Sequence, residues 1–153
     1  ARDPRDARKQ ERSAQWIDLL WRERLGRTSA QAIAEFYAVA SRKLGIPAER
    51  AWLYAERYFA WKPHPVDERV LRRAREIEQR HRLSWWDSMI VAAAQLQDCA
   101  LLLTEDLHDG AVFGAVTVFG AVALFAVATH AEPARPSPAD LSTPAPPPIP
   151  SIV

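Results

Sequence analysis

The sequence contains one cysteine, no excess charge of either sign and no apolar stretch near its first residue. Because Cys99 is the sole cysteine, the chain cannot form an intrachain disulfide or a four-cysteine zinc site. A low cysteine content is typical of a reducing compartment, so we expect a cytoplasmic protein. The 20 basic and 19 acidic residues exclude recognition of nucleic acid or membrane by net charge alone. The opening ARDPRDARKQER does not have the pattern of a signal peptide.

The overall composition is that of a folded chain, with 48% hydrophobic and 25% charged residues. Charge is distributed unevenly, because residues 111–153 contain only Glu132, Arg135 and Asp140 as charged groups. Eight of the twelve prolines lie in residues 130–153, where they prevent a regular helix or a central strand. We therefore expect an extended, disordered tail there.

Residues 1–110 contain clear signals for the beginning and end of helices. Apolar residues recur at helical spacing over 4–25, 30–44 and 47–61, and again after Asp67 and Ser84, which can cap the helices that follow them. A short strand fits Arg27–Ser29, and the apolar run Cys99–Leu103 is typical of a buried parallel strand. This alternation predicts an α/β layer fold.

Three carboxylates occupy positions that are unusual for surface charges. Glu35 lies within the apolar segment AIAEFYAVA, Asp87 follows two tryptophans at a helix start, and Asp106 follows the buried run LLLT. Open α/β sheets place ligand sites beyond the carboxyl ends of their strands. Carboxylates there suit Mg²⁺ or Mn²⁺, which prefer oxygen ligands and retain water for phosphate chemistry.

Each carboxylate also has a purely structural interpretation. Asp87 fits the S-x-x-D capping pattern that begins at Ser84, and Glu35 could be an ordinary charge on a helix surface. Asp106 is a common turn residue, and Glu105 beside it competes for the same role.

In this order and context, the residues resemble a known family. The stretch RLSWWDSMIVAAAQLQDCALLLTEDLHDG resembles the C-terminal half of PIN-domain proteins, especially the VapC-type toxins of bacterial toxin–antitoxin pairs, and AEFYAVASRKL resembles the helix carrying their second acidic residue. The resemblance covers residues 1–118. It implies that Glu35, Asp87 and Asp106 are metal-binding acids and that Thr104 is the hydroxyl residue accompanying them.

The resemblance also implies what the protein does. We expect a mostly parallel sheet flanked by helices, a requirement for Mg²⁺ or Mn²⁺, and endonucleolytic cleavage of RNA by water, without a covalent enzyme intermediate. VapC-type proteins are commonly homodimers that a cognate antitoxin holds inactive. A homodimer and an antitoxin partner are therefore expected here.

The sequence departs from the family at two places. PIN domains begin with a central strand ending in an Asp, and no segment before Pro4 matches it, so we expect unpaired backbone groups in the sheet and weakened metal binding. Residues 119–153 are unlike the family and form a divergent apolar, then proline-rich, tail. An inactive, truncated PIN domain that acts only through protein contacts is the alternative that these departures favour.

The uncharged segment Ala111–Thr129 has a second interpretation, because 19 residues in a helix span about 28 Å, close to the hydrocarbon thickness of a bilayer. A membrane anchor is therefore a further alternative. Two glycines, several valines and the lack of flanking basic residues favour a strand over 111–118 instead.

The third predicted helix carries two aromatic stripes. Trp52, Ala55 and Phe59 form one, and Tyr54, Tyr58 and Trp61 form the other. Either both stripes belong to a wide core face, or the second stripe contacts a partner. The basic residues are too evenly spread to define an RNA path, although a few could line one: Arg42, Lys43, Arg72, Arg73 and Arg75.

Overall fold

A computed structural model describes residues 4–121 and the backbone of 125–128. The chain forms five α-helices, one short 3-10 helix and five strands within these residues. In chain order, they are α1 Pro4–Glu23, β1 Gly26–Arg27, α2 Ala30–Arg42, α3 Ala48–Arg57, the 3-10 helix Tyr58–Trp61, α4 Glu68–His81, α5 Trp85–Leu96, β2 Cys99–Leu103, β3 Val112–Phe113, β4 Val116–Phe119 and β5 Phe125–Ala128.

Three helices begin at the capping residues that local chemistry favours. The side chains of Ser29, Asp67 and Ser84 each accept a hydrogen bond from a backbone N–H in the first turn of α2, α4 and α5, respectively. The predicted starts of α4 and α5 at these caps are therefore confirmed. The predicted strand Arg27–Ser29 is shifted, because β1 is Gly26–Arg27 and Ser29 forms an isolated bridge with His64.

The five strands form one sheet in the order β1-β5-β2-β4-β3. Only β2 and β4 pair in parallel, whereas β5 runs antiparallel to both β1 and β2, and β3 runs antiparallel to β4. The α/β class is confirmed, but the expectation of a mostly parallel sheet is wrong. The reason is that residues 112–119 fold as a hairpin and β5 returns in the opposite direction.

Both edges of β2 are paired, by β4 on one side and by β5 on the other. The expectation of unpaired backbone groups in the middle of the sheet is not met at β2, because β5 supplies partners on that side. Residues 125–128, which the sequence placed in the divergent tail, belong to the sheet. Phe119, also placed in that tail, is the last residue of β4, and residues 122–124 and 129–153 lie outside the described residues.

From Ala111 onward, the described residues form strands joined by turns and irregular segments, and the predicted strand over 111–118 corresponds to the hairpin of β3 and β4. The described ranges, 4–121 and 125–128, hold no helix that is long and apolar enough to cross a membrane. A helical span over 111–129 is therefore wrong for the part that is described.

The core lies between the sheet and the apolar faces of the helices. Helix α5 is its centre, because residues 88–94 are all buried and the helix packs against α4, β2 and β4. Trp16 of α1 packs edge-on against Phe119 of β4, with ring centroids 5.8 Å apart. This aromatic pair holds α1 against the sheet.

The two aromatic stripes of α3 and the 3-10 helix differ in exposure, in the reverse of the order that a partner contact at the second stripe requires. Tyr58 and Trp61 are 0% and 7% exposed, and both rings contact Trp21 of α1, so they are core residues. Burial raises the pKa of the Tyr58 hydroxyl far above its usual range. By contrast, Trp52 and Phe59 are exposed. The prediction that Tyr58 and Trp61 contact a partner is therefore wrong.

Candidate functional site

The site is built around the carboxyl end of β2, where the chain leaves the sheet as Thr104, Glu105 and Asp106. Thr104 is 2% exposed, and its backbone N–H donates to the carbonyl of Phe119 at 3.1 Å. Its Oγ1 accepts a hydrogen bond from the backbone N–H of Asp106 at 3.2 Å. Thr104 therefore fixes the turn that presents the Asp106 side chain at the surface.

Asp87 lies in the first turn of α5 and is half-buried. The Ser84 hydroxyl accepts a hydrogen bond from the Asp87 backbone N–H at 3.1 Å and donates to Asp87 Oδ2 at 2.8 Å. The capping role anticipated for this segment is thus present, with Ser84 as the cap. The same contact orients the Asp87 carboxylate, so capping and ligand binding are compatible at this position.

Glu35 lies on α2, and Gln31, one helical turn before it, links it to α5. The Gln31 amide nitrogen donates to Glu35 Oε1 at 3.0 Å and to the backbone carbonyl of Trp86 at 3.4 Å. Glu35 is therefore half-buried beside the start of α5 instead of pointing freely into solvent. Gln31 is a positioning residue that the sequence analysis missed, although its i,i+4 spacing from Glu35 was visible.

The negative charges of neighbouring acids act on Asp106. The pKa of Asp106 is raised from its ordinary value of 3.8, first by partial desolvation and then by the negative charges of Asp87, Glu105 and Glu35. The structure therefore brings together three acids that are separated by up to 71 residues in the sequence. This convergence creates a region of concentrated negative potential at the end of β2.

The donor set suits a hard cation, because a cation beside these carboxylates would offset the repulsion that raises the Asp106 pKa. The side chains do not form a closed cage. Within residues 4–121 and 125–128, no group of three or more His, Cys, Asp or Glu side chains lies close enough to hold one ion. Any ion here would thus be bound by fewer protein ligands and by water.

Two further acids near the site have other contacts. Glu105 lies 3.6 Å from the ammonium group of Lys9 on α1, an exposed ion pair that contributes little stability. Asp109 accepts a hydrogen bond from the backbone N–H of Gly120 at 2.9 Å, which ties the acidic loop to the residue after β4. Glu105 contributes to the negative potential, whereas Asp109 stabilises the loop.

The basic residues suggested for an RNA path are engaged mainly on their own helix. Along α4, each of three arginines pairs with a glutamate at i±3 or i−4 spacing, and these pairs are Arg72–Glu68, Arg73–Glu76 and Arg75–Glu78. Such pairing is typical of a solvated helix face. It does not define a track of positive potential leading to the carboxylates.

Comparison with known families agrees with this architecture. The PIN-domain family model matches residues 5–108, which is more than two thirds of the chain and includes all three carboxylates. No curated protein and no solved structure shows significant similarity to the chain. The chain belongs to the PIN-domain family. Membership indicates a nuclease-type function, since PIN domains are generally metal-dependent nucleases.

Proposed function

We propose that the protein is a metal-dependent endoribonuclease of the VapC type, in which Mg²⁺ or Mn²⁺ binds among Glu35, Asp87 and Asp106, held at any one time by one or two of these carboxylates and by water. The observation that carries this proposal is the convergence of the three carboxylates at the carboxyl end of β2, in a chain that belongs to the PIN-domain family. Carboxylates at this edge of an α/β sheet are well placed to bind a ligand.

A closed cage of protein ligands is not required for this chemistry. Mg²⁺ commonly uses one or two carboxylates, retains several waters and takes further oxygens from a phosphate of the substrate. When bound, the ion polarises the phosphodiester and lowers the pKa of water, so that hydrolysis becomes feasible at neutral pH. The open arrangement of the three acids is consistent with this mode of binding.

The protein's own residues orient the acids. Gln31 holds one oxygen of Glu35 and fixes the start of α5, and Ser84 donates to Oδ2 of Asp87, which leaves Oδ1 available for an ion. Thr104 holds the backbone of Asp106. A covalent route through the sole cysteine is excluded, because Cys99 is buried and burial raises the pKa of its thiol to about 12.

The test is cleavage of a labelled single-stranded RNA by the purified chain, with Mg²⁺ or with EDTA. Cleavage should require the metal and should be lost in Asp87→Asn. It should persist in the matched control Glu49→Gln, which changes an acid in the first turn of α3. Cleavage that survives both EDTA and Asp87→Asn would contradict the proposal and indicate a contaminating ribonuclease.

The toxin role adds two partners to the proposal, a second copy of the chain and a cognate antitoxin. Size-exclusion chromatography with light scattering tests the first of these. For the second, co-expression with candidate antitoxins should suppress cleavage of RNA by the wild-type chain. A monomer that no candidate inhibits would remove the toxin assignment and leave the nuclease assignment to the cleavage assay.

A second candidate function is a PIN domain that acts through protein contacts alone. Two exposed aromatic rings favour it, because Trp52 is 44% exposed, Phe59 is 46% exposed, and their centroids lie 5.9 Å apart. Absence of cleavage, together with absence of any Mg²⁺-induced rise in melting temperature, would favour this function over the nuclease.

A further inference from the structure

Trp86 is the most exposed of the large hydrophobic side chains that the structure describes. It is 62% exposed, although it stands in a well-formed helix next to buried residues of α5. Most other tryptophans pack against aromatic rings: Trp16 against Phe119, Trp21 against Tyr58 and Trp61, and Trp52 against Tyr37 and Phe59. Trp86 makes no such ring contact within the described residues.

The position of Trp86 is fixed relative to the carboxylates. It directly precedes Asp87, and its backbone carbonyl accepts a hydrogen bond from the Gln31 amide that also binds Glu35. The backbone of Trp86 is therefore held beside two of the proposed metal ligands. The indole itself is exposed, and because consecutive Cα atoms are about 3.8 Å apart, it lies near enough to Asp87 for a nucleotide adjoining a phosphate bound there to reach it.

We propose that Trp86 is a stacking platform for a base of single-stranded RNA whose phosphodiester lies at Glu35, Asp87 and Asp106. This inference rests on the proposed nuclease function and names how its substrate is held. The surroundings of Trp86 favour a nucleobase, because its apolar chain neighbours Leu83 and Trp85 are half-buried against the core, whereas the exposed neighbours Arg82 and Ser84 are polar. A planar base with polar edges fits a single ring in a polar setting, whereas a protein contact requires a contiguous apolar patch.

The electrostatics of the site make such a platform useful. The carboxylates repel a phosphate backbone, and the arginines of α4 are paired with glutamates, so charge attraction by these groups contributes little to RNA binding. Stacking on an aromatic ring is tolerant of sequence and does not depend on charge. Removal of one stacking ring weakens binding of single strands by about 5- to 100-fold.

The experiment measures binding separately from cleavage. A fluorescein-labelled 12-nucleotide single-stranded RNA is titrated with the full chain carrying Asp87→Asn in Mg²⁺, and Kd is read from anisotropy. Adding Trp86→Ala should weaken binding by about 5- to 100-fold, whereas adding Trp86→Phe should retain it within about threefold, because the phenyl ring still stacks. The matched control Trp52→Ala removes an exposed tryptophan on α3 and should leave Kd unchanged.

Two further readouts separate stacking from a general effect on the fold. Binding of a fully base-paired RNA should be insensitive to Trp86→Ala, because its bases are already stacked. The melting temperature should also be little changed, since the side chain is largely exposed.

The outcomes distinguish this inference from the nuclease proposal. If the wild-type chain cleaves RNA but Trp86→Ala binds single strands within twofold of its parent, the stacking platform is refuted and the nuclease stands. Binding that depends on Trp86 without any cleavage would support the platform and overturn the nuclease. Unchanged RNA binding with an altered oligomeric state in Trp86→Ala would refute the platform in favour of a protein contact.

Discussion

The most sharply defined structural prediction concerns Gly26, where α1 is followed by the first strand of the sheet. A Cβ atom built at this buried position lies 2.5 Å from both Cε2 and Cζ2 of Trp61 and 2.7 Å from Cδ2. Ordinary carbon contacts lie beyond 3.4 Å, so the ring or the strand must shift by about 1 Å. Trp61 is only 7% exposed and packs against Trp21 and Tyr58, which leaves the ring little room.

We therefore expect Gly26→Ala to destabilise the fold. Overpacking a core costs about 1–3 kcal/mol, and the reduced freedom of the unfolded chain offsets about 0.4–1 kcal/mol of it. The net loss is about 1–2 kcal/mol in the free energy of unfolding, measured by urea denaturation with tryptophan fluorescence. Gly120→Ala is the matched control, because its Cβ would meet only Asp109 atoms at 3.7 Å.

A double-mutant cycle identifies the cause. Trp61→Phe removes the second ring of the indole, so Gly26→Ala should destabilise the Trp61→Phe variant less than it destabilises the wild type. An equal loss in both backgrounds would refute the reasoning, because the clash with the indole would then not be responsible.

Two further predictions concern the acidic site. In metal-free buffer, Asp106→Asn should stabilise the protein more at pH 7 than at pH 4. Because the pKa of Asp106 is raised in the folded state, the protonated carboxyl favours folding at low pH. The wild type loses this contribution to the free energy of unfolding as the pH rises through the raised pKa, whereas the Asp106→Asn variant does not. Urea denaturation at both pH values checks this, and a gain that is equal at both would contradict it. Ser84→Ala should lower the free energy of unfolding by about 1 kcal/mol through loss of the α5 cap and should reduce cleavage by releasing the Asp87 carboxylate. Ser41→Ala is its control, since the Ser41 hydroxyl donates to the Tyr37 carbonyl within α2 and caps no helix, and a similar loss there would argue against a specific capping effect.

Local signals in the sequence were sufficient for most of the secondary structure. The run Cys99–Leu103 was predicted as a strand and forms β2 with the same bounds. Ser84 and Asp67 were predicted as caps, and both accept the expected backbone hydrogen bonds. These features depend on residues within one turn or one strand, which is the range over which side-chain chemistry determines backbone conformation.

The sequence left open whether the second aromatic stripe is core or a partner surface, and the structure places its members Tyr58 and Trp61 in the core. The prediction assumed one regular helix as far as Trp61, with 3.6 residues per turn. The chain tightens into a 3-10 helix at Tyr58, and in that geometry residues three apart lie above one another. Tyr58 and Trp61 lie on the same side, as predicted, and their rings pack edge-to-face with centroids 5.1 Å apart as both enter the core.

The candidate site was predictable only in part. Glu35, Asp87 and Asp106 were chosen from their apolar contexts and from resemblance to PIN domains, and the structure brings their charges together. Their roles as metal ligands stay predictions. The link from Gln31 to the Trp86 carbonyl spans 55 residues, so no local pattern could indicate it.

The placement of β5 shows why topology and site depend on each other. An uncharged segment after Ala111 is compatible with a strand in either direction, and its local pattern contains no information on register. What decides the pairing is the second edge of β2, whose backbone groups require partners. At the carboxyl end of β2, the Ala121 N–H donates to the Thr104 carbonyl at 3.3 Å. The first residue of β5, Phe125, pairs with Leu103, the residue before Thr104. A change in β5 pairing would therefore alter the backbone from which the acidic loop and Asp106 begin.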